Sequence, residues 1–288
     1  MYFSRFTLRG PGMEMGRKVV LITGSTDGVG RRVAEKLGAS GAMVLIHGRN
    51  RTRAEQLRSA IQAEGGKSEI HLADFASLSE VRSLADAILR DHSRLDVLIN
   101  NAGIGVGQPA TRREVSRDGL ELRFAVNYLS GFLLTRLMLP LLLAAKGSIV
   151  QVASVGQQAI DFEDVMLMQG YTGRRAYCQS KLAQIMFSFD LSSELEDSGV
   201  KVNALHPATY MDTRMVRQDG IKPVSTVDEG ADAVLNLILN PGTAGKTGNF
   251  FDGLHPSRAH SQAYDADARQ KLRALSFRLS GLTPPPSA

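Results

Sequence analysis

The chain has a single cysteine, Cys178, and no tryptophan in its 288 residues. One thiol excludes an intrachain disulfide, and the six histidines show no spacing of zinc-site type. No metal is expected, and a reducing, cytoplasmic setting fits. Charge of one sign is not concentrated anywhere. The formal net charge of +5 is spread along the chain, and its densest point is the short group Arg49, Arg51 and Arg53. With no basic stripe and no aromatic RNA-binding motif, nucleic-acid partners are excluded, and the arginine group suits one local anionic ligand. Long uninterrupted apolar runs are also missing. The strongest, "GFLLTRLMLPLLLAA", is broken by Arg136 and Pro140. It falls short of the roughly 18 apolar residues of a membrane span and reads as a buried helix. The opening "MYFSRFTLRGPGMEMG" has no apolar core of signal-peptide type. Residues 1–16 read as a flexible extension, 17–280 as one domain and 281–288 as a disordered tail.

What is present is an alternation. Short β-branched runs ("KVVLITG", "AMVLIHG", "EIHLAD", "LDVLINNAG", "GSIVQVAS", "VKVNALHPA", "GNFFDG") are separated by helical patterns. The helices are expected over Val29 to Ser40, Arg51 to Glu64, "LSEVRSLADAILRDH", the apolar run above, and the stretch holding Tyr177. Apolar strands between helices mark a parallel sheet covered on both faces. Right-handed crossovers then predict an α/β Rossmann-type doubly wound sheet of about seven strands, with ligands at the carboxyl ends of the strands.

The first strand-to-helix junction reads "TGSTDGVG", with Gly24, Gly28 and Gly30. Glycines there allow a sharp turn and close approach of a phosphate to the helix amino end. Ser25, Asp27 and Val29 complete the candidate cradle. The spacing T-G-x-x-x-G-x-G differs from G-x-G-x-x-G, and no Gly-Lys-Ser/Thr closes it, which excludes a Walker loop. After strand two, "HGRN" lacks the acidic residue that binds adenosine ribose hydroxyls in NAD sites. Arg49 and Asn50 stand there instead. A guanidinium at that point suits a 2′-phosphate, so NADP(H) is expected over NAD(H).

These pieces together resemble the short-chain dehydrogenase/reductase family. The matching motifs are "TGSTDGVG", "NNAG" from Asn100 to Gly103, Asn127, Ser154 and "YCQSK", in the family's order over roughly Lys18 to Asp252. The segment between Ser154 and Tyr177, "SKLAQIMF", "NALHPA" and "TGNFFDG" followed by a terminal helical stretch resemble its retinol-dehydrogenase-like branch. The resemblance implies that Tyr177 is the catalytic acid/base, Lys181 its activator, and Ser154 a hydrogen-bond partner of the substrate oxygen. Asn127 would hold a water that links Lys181 to solvent. Asp74, with Phe75 beside it, would meet the adenine, Asn101, Ala102 and Gly103 the adenosine-side ribose, and Pro207, Ala208 and Thr209 the nicotinamide. The family usually has glycine at the position of Ala208 and a threonine one residue before Thr213. The substrate would be a small carbonyl or alcohol. A homodimer or homotetramer, formed through the long apolar helix and the Tyr177 helix, is a further implication.

The chemistry asks for these residue types. A free tyrosine, with a pKa near 10, is a poor base at neutrality, and a nearby ammonium favours its phenolate. Residues four apart share a helix face, so Lys181 can stand beside Tyr177. By itself a Tyr–Lys pair of this spacing belongs more often to an ordinary helix surface. Tyr171, four residues before Arg175, is a decoy: Gly173 between them is a poor helix residue. Cys178 reads as a small buried bystander, and His47 and His206 as structural. Phe162, Met166, Met168, Met211 and Met215 are available to line a lipophilic pocket. Sugar-nucleotide epimerases share Tyr-x-x-x-Lys with a different glycine spacing. Enoyl-thioester reductases place the lysine seven residues on, where Gln184 stands here. A non-catalytic NADP(H)-sensing regulator is the alternative of a different class.

Overall fold

The computed structural model describes residues 15–285. The predicted extension lies outside these residues up to position 14, and the predicted tail from position 286. Met15 is buried against the core, and Leu282 packs on the opposite side of the sheet.

The apolar runs form strands β1 (Val19–Ile22), β2 (Met43–Gly48), β3 (Lys67–Leu72), β4 (Val97–Asn100), β5 (Ser148–Val152), β6 (Lys201–His206), β7 (Asn249–Asp252) and β8 (His255–Ser257). Helices α1 (Gly28–Ala39), α2 (Arg51–Ala63), α3 (Leu78–Asp91), α4 (Ser130–Ala145) and α5 (Gly173–Glu194) follow in the order the alternation predicts. The remaining helices are α6 (Arg214–Gln218), α7 (Val227–Leu239), α8 (Pro241–Ala244) and α9 (Ala266–Ser280). One sheet runs β3-β2-β1-β4-β5-β6-β7-β8, parallel through β7. The eighth strand corrects the expectation of about seven: it pairs antiparallel with β7. Its three exposed residues carry no burial pattern to read.

Because β1, β4 and β5 are buried on both faces, their side chains feed two cores. Val20, Ile22, Val44 and Ile46 meet α1, α2 and α7 on one side. Leu21, Leu45, Leu98 and Ile149 meet α3, α4 and α5 on the other. Strand order reverses between β1 and β4, which opens a crevice at their carboxyl ends. Every functional motif read from the sequence converges on that end of the sheet.

The long apolar segment from Phe124 to Ala145 is long and apolar enough to cross a membrane, and 67% of its most apolar window is buried in the fold. Phe132, Leu133, Leu134 and Met138 are sealed in the core, as expected of a core helix. Its first turn, Phe124–Leu129, is a π-helix. α9 lies across α4 and α5: Phe277 meets Phe132 edge-on at 5.3 Å, and the Tyr128 hydroxyl bonds that of Ser276 at 2.6 Å. Arg273 reaches Asp190 at 3.0 Å and Glu194 at 2.7 Å.

Candidate active site

The glycine loop is shaped by backbone that only glycine adopts cheaply. Gly24 has φ +63° and Gly28 φ +52°. A Cβ at Gly24 would stand 2.9 Å from the Ala102 Cα, and one at Gly30 would collide with the Asn101 amide and the Gly24 carbonyl. Asp27 caps α1, its carboxylate accepting from the Gly28 N–H at 2.8 Å, and pairs with Arg53 at 3.2 Å.

The loop is bolted from behind by Ser25, His47 and Asn101. Ser25 is fully buried: its hydroxyl donates to the His47 carbonyl at 3.3 Å and accepts from the His47 N–H at 3.0 Å. Its side chain therefore anchors the loop rather than facing a phosphate. His47 accepts from the Gly24 N–H through Nδ1 at 3.0 Å, and its Nε2 stands 3.1 Å from the Ala73 carbonyl. This pairing requires the neutral tautomer with the proton on Nε2. Burial pushes its pKa down to about 4. The structural role expected of His47 is thus a specific one. Asn101 donates to the carbonyls of Thr23 at 2.8 Å and Gly24 at 3.1 Å, and Asn100 donates to Thr135 at 2.8 Å. Both asparagine side chains hold backbone and helix in place.

At the end of β2, the Arg49 side chain is 66% exposed and stands 3.6 Å from Asp74. Arg117 reaches the other Asp74 oxygen at 3.7 Å. Asn50 caps α2, accepting from the Arg53 N–H at 2.9 Å. Phe75 is buried, its ring 4.4 Å from that of His47. The exposed guanidinium at the end of β2 is thus held only loosely, by Asp74, and no acid stands at the strand end itself.

Tyr177 and Lys181 lie one turn apart on α5, capped at its start by Thr172. The Lys181 ammonium is 5.7 Å from the Tyr177 ring centre. It donates to the Val152 carbonyl at 2.9 Å and to Gln184 at 2.8 Å. Ser154 follows β5, and its hydroxyl accepts from the Gly156 N–H at 3.0 Å. A Cβ at Gly156 would lie 3.3 Å from that hydroxyl and 3.7 Å from the Tyr177 ring, so the two side chains adjoin. A Cβ at Gly103 would lie 3.3 Å from Asn127 Oδ1 and 3.6 Å from Lys181 Nζ. This bare patch of backbone, walled by the lysine, is a fit for a ribose pressed between Gly103 and α5.

Two expectations change here. Burial pushes the Tyr177 phenol up to about 12, the Ser154 hydroxyl pulling the other way. Burial also brings Lys181 down to about 7. Within the protein's own groups, desolvation outweighs the charge effect that the Tyr–Lys spacing suggested. Asn127 makes three hydrogen bonds and keeps one acceptor position on its Oδ1. It accepts from the Ile104 N–H at 2.8 Å and donates to the Ile104 carbonyl at 3.2 Å and to Ser180 at 2.9 Å. It sits in the π turn, a feature common at functional sites.

Tyr171 lies before the α5 cap, so it shares no helix face with Arg175. It donates to Glu121 at 3.3 Å, and burial pushes its phenol up to about 12. Cys178 is buried, with its thiol raised by burial. Pro207, Ala208 and Thr209 follow β6, where the Thr209 hydroxyl bonds His206 Nε2 at 3.0 Å. The five residues offered as a lipophilic lining do not converge. Phe162 and Met166 pack on the core, Met211 packs on the opposite core, and Met168 is 71% exposed. Only Met215 faces the loop at Gly105. Composition signalled the methionines but not their directions. Asp219 was missed: its carboxylate accepts from the Val106 N–H at 3.4 Å, closing α6 over that loop, and burial raises its pKa. Nothing short of the fold marks it.

Residues 18–222 match the family model described as short chain dehydrogenase. Human retinol dehydrogenase 13 is 34% identical, with 93% of this chain and 86% of that protein aligned. Mouse retinol dehydrogenase 14 is 35% identical over 94% of this chain and 88% of its own. Among solved structures, an uncharacterized protein from Mycobacterium paratuberculosis superposes with a TM-score of 0.76. It is 29% identical, with 93% of this chain and 95% of that one covered. The RhlG/NADP active-site complex of Pseudomonas aeruginosa gives 0.67 at 26% identity, covering 82% and 94%. The chain therefore belongs to the short-chain dehydrogenase family, in its retinol-dehydrogenase-like branch, as a nicotinamide-dependent oxidoreductase of the alcohol/carbonyl pair.

Proposed function

We propose that the chain is an NADP(H)-dependent carbonyl reductase or alcohol dehydrogenase in which Tyr177 moves the proton. The observation that carries this reading is the grouping of Ser154, Tyr177 and Lys181 beside the bare backbone of Gly103. The nicotinamide cofactor supplies or takes up the hydride. Gly24, Gly28 and Gly30, with the amino end of α1, would hold its pyrophosphate. Asn101 and Ala102 would line the adenosine-side ribose, while Gly103, expected there too, stands beside Lys181 and with it would meet the ribose on the nicotinamide side instead. Asp74 and Phe75 lie toward the adenine. Pro207 to Thr209 would border the nicotinamide.

In the reductive direction, a phenol raised to about 12 is fully protonated at neutral pH and is the donor to the developing alkoxide. Ser154 donates a second hydrogen bond to the same oxygen, where negative charge grows. Lys181, poised near 7, stabilises the phenolate left behind and relays its reprotonation. In the oxidative direction the same groups run in reverse.

The preference for NADP(H) rests on Arg49 and on the absence of an acid at the end of β2. Relatives whose names are retinol dehydrogenase support a lipophilic substrate. A homodimer or homotetramer, which the family resemblance implies, must use a surface other than the part of α4 and α5 that α9 covers. A cytoplasmic setting fits the single buried thiol. The competing reading is a non-catalytic NADP(H) sensor. The presence of serine, tyrosine and lysine together weighs against it.

The test is steady NADPH consumption with a panel of apolar aldehydes and ketones. Tyr177→Phe should lower kcat about 10²- to 10⁴-fold, the usual contribution of general acid catalysis, with NADPH affinity kept. Tight NADPH binding without turnover of any carbonyl, and no change on substitution, would establish the sensor instead.

A further inference from the structure

The edge strand β3 carries a cluster that the oxidoreductase chemistry does not use. Ile70 and Leu72 turn toward the α2 side and pack on that core. Glu69 and His71, on the alternate positions, share the other face. His92, the residue that ends α3, comes down onto them. One ligand atom from each of Glu69, His71 and His92 lies within 4.8 Å of the others. Glu69 Oε2 is 3.1 Å from His92 Nε2 and 3.7 Å from His71 Nε2.

Glu69 and His92 are close enough to share a hydrogen bond, but His71 is left out of it, and all three spacings suit a metal. Zinc bonds to imidazole nitrogen and carboxylate oxygen of about 2.0–2.1 Å put tetrahedral ligand atoms about 3.3 Å apart. The two measured separations fall on either side of that value. At 3.7 Å the contact from His71 is too long to be a hydrogen bond. His71 Nε2 is in fact buried without any hydrogen-bond partner. A buried polar atom left unpaired carries a cost that native folds rarely accept without a ligand, ion or water. The His71 and His92 side chains are only 10% and 12% exposed, whereas that of Glu69 is 41% exposed. Two fixed imidazoles and one adjustable carboxylate at the rim give an ion a way in. The nearby Asp91 is engaged by Arg90 through two bonds of 2.8 and 2.9 Å, so it does not crowd the cluster.

We propose that Glu69, His71 and His92 form a binding site for one zinc ion, with solvent as the fourth ligand. Two imidazoles and a single carboxylate suit a borderline cation and not the hard oxygen-seeking Mg²⁺ or Ca²⁺. The ion would clip the edge strand to the end of α3. Between those two elements lie Asp74 and Phe75, so the clip secures the adenine-side wall. The chemistry of hydride transfer does not involve it, and the proposal stands independently of the substrate reading.

The experiment uses the untagged, full-length chain stripped with EDTA. Titration with ZnCl₂ is followed by calorimetry and by thermal unfolding. One equivalent of Zn²⁺ should bind and raise the Tm, while Mg²⁺ at the same concentration leaves it unchanged. Glu69→Gln and His92→Asn should each weaken Zn²⁺ binding about tenfold or more. Substitution of the exposed His255 by Asn should leave it untouched. Equal affinity in all of these variants, or no stoichiometric binding, would overturn the site. Should a variant not fold, Co²⁺ bound to the unaltered chain decides. Intense visible bands of a tetrahedral nitrogen–oxygen site support the proposal. A weak six-coordinate spectrum, or a thiolate charge-transfer band from Cys178, refutes it.

Discussion

Replacing His47 by glutamine should flatten the acid sensitivity of this fold. In the native chain His47 accepts from Gly24 at the glycine loop and donates to Ala73 at the end of β3. That arrangement works only while the ring is neutral. Burial lowers its pKa from 6.5 to about 4. The unfolded chain therefore takes up the proton first as pH falls. The stability contributed by a neutral His47 is complete above about pH 6.5, declines below it, and is gone once the pH passes below about 4. At about 1.4 kcal/mol for each pH unit of difference, the loss attributable to this residue is roughly 3 kcal/mol. A glutamine amide offers an acceptor for Gly24 and a donor for Ala73 and does not titrate. The assay is urea unfolding at a series of pH values between 7 and 4 for both chains. Other groups lose stability in this range too: His71 and His206 are also depressed by burial, and Glu194, though burial raises it, is held lower by Arg136. Only the difference between the two curves belongs to His47. It should open by roughly 3 kcal/mol across the window. Parallel curves would show that His47 carries no such penalty, and the argument from its two hydrogen bonds would fail.

Three further outcomes follow from the site. Arg49→Ala should weaken NADPH about tenfold or more in a fluorescence titration, with little change for NADH, because a charge-assisted phosphate contact is lost; an equal loss for both removes the phosphate argument. Gly30→Ala should abolish cofactor binding and lower stability by about 1–3 kcal/mol, since the new methyl meets the Asn101 amide and the Gly24 carbonyl; chemical denaturation and cofactor titration check it together. Tyr171→Phe removes one bond to Glu121 and should leave kcat within about twofold, as expected of a group outside general acid catalysis, and a drop as large as that of Tyr177→Phe would reassign the proton donor.

Much of this site was legible because its chemistry is written in short local words. "TGSTDGVG", "NNAG", Ser154 and "YCQSK" each end a strand or begin a helix, and a parallel sheet gathers strand ends at one rim. What stayed hidden depends on direction or distance. The sequence shows Ser25 in a glycine loop, but not that its hydroxyl turns inward to His47. The turn from Phe124 to Leu129 has the composition of any apolar helix, so its π geometry left no mark. Glu69 and His92 are 23 residues apart, and only the length of α3 and its return along the edge strand brings them together. The methionines were visible as a group, yet they scatter over two cores and the surface.

The shifts at Tyr177 and Lys181 have one cause, and it explains why a Tyr–Lys pair in a sequence says so little by itself. On an exposed helix neither residue would be desolvated, and the pair would keep its ordinary values. Here α5 is buried along most of its length. β5 and β6 lie under it, α9 lies across its far half, and the segment from Ser154 to Thr172 leads over its start. That segment is in turn fastened by the carboxyl-terminal region. Gln262 donates to the Ile160 carbonyl at 3.0 Å and accepts from its N–H at 2.6 Å, while the His260 N–H donates to Gln157 at 2.7 Å. Excluding water penalises both charged forms, which raises the phenol and lowers the ammonium. Among the chain's own groups this leaves a protonated phenol and a lysine that titrates near neutrality, the starting states on which the proposed reduction rests. The tuning thus comes from the cover as much as from the pair, and the cover is tied together by bonds between residues 102 and 103 positions apart in the chain.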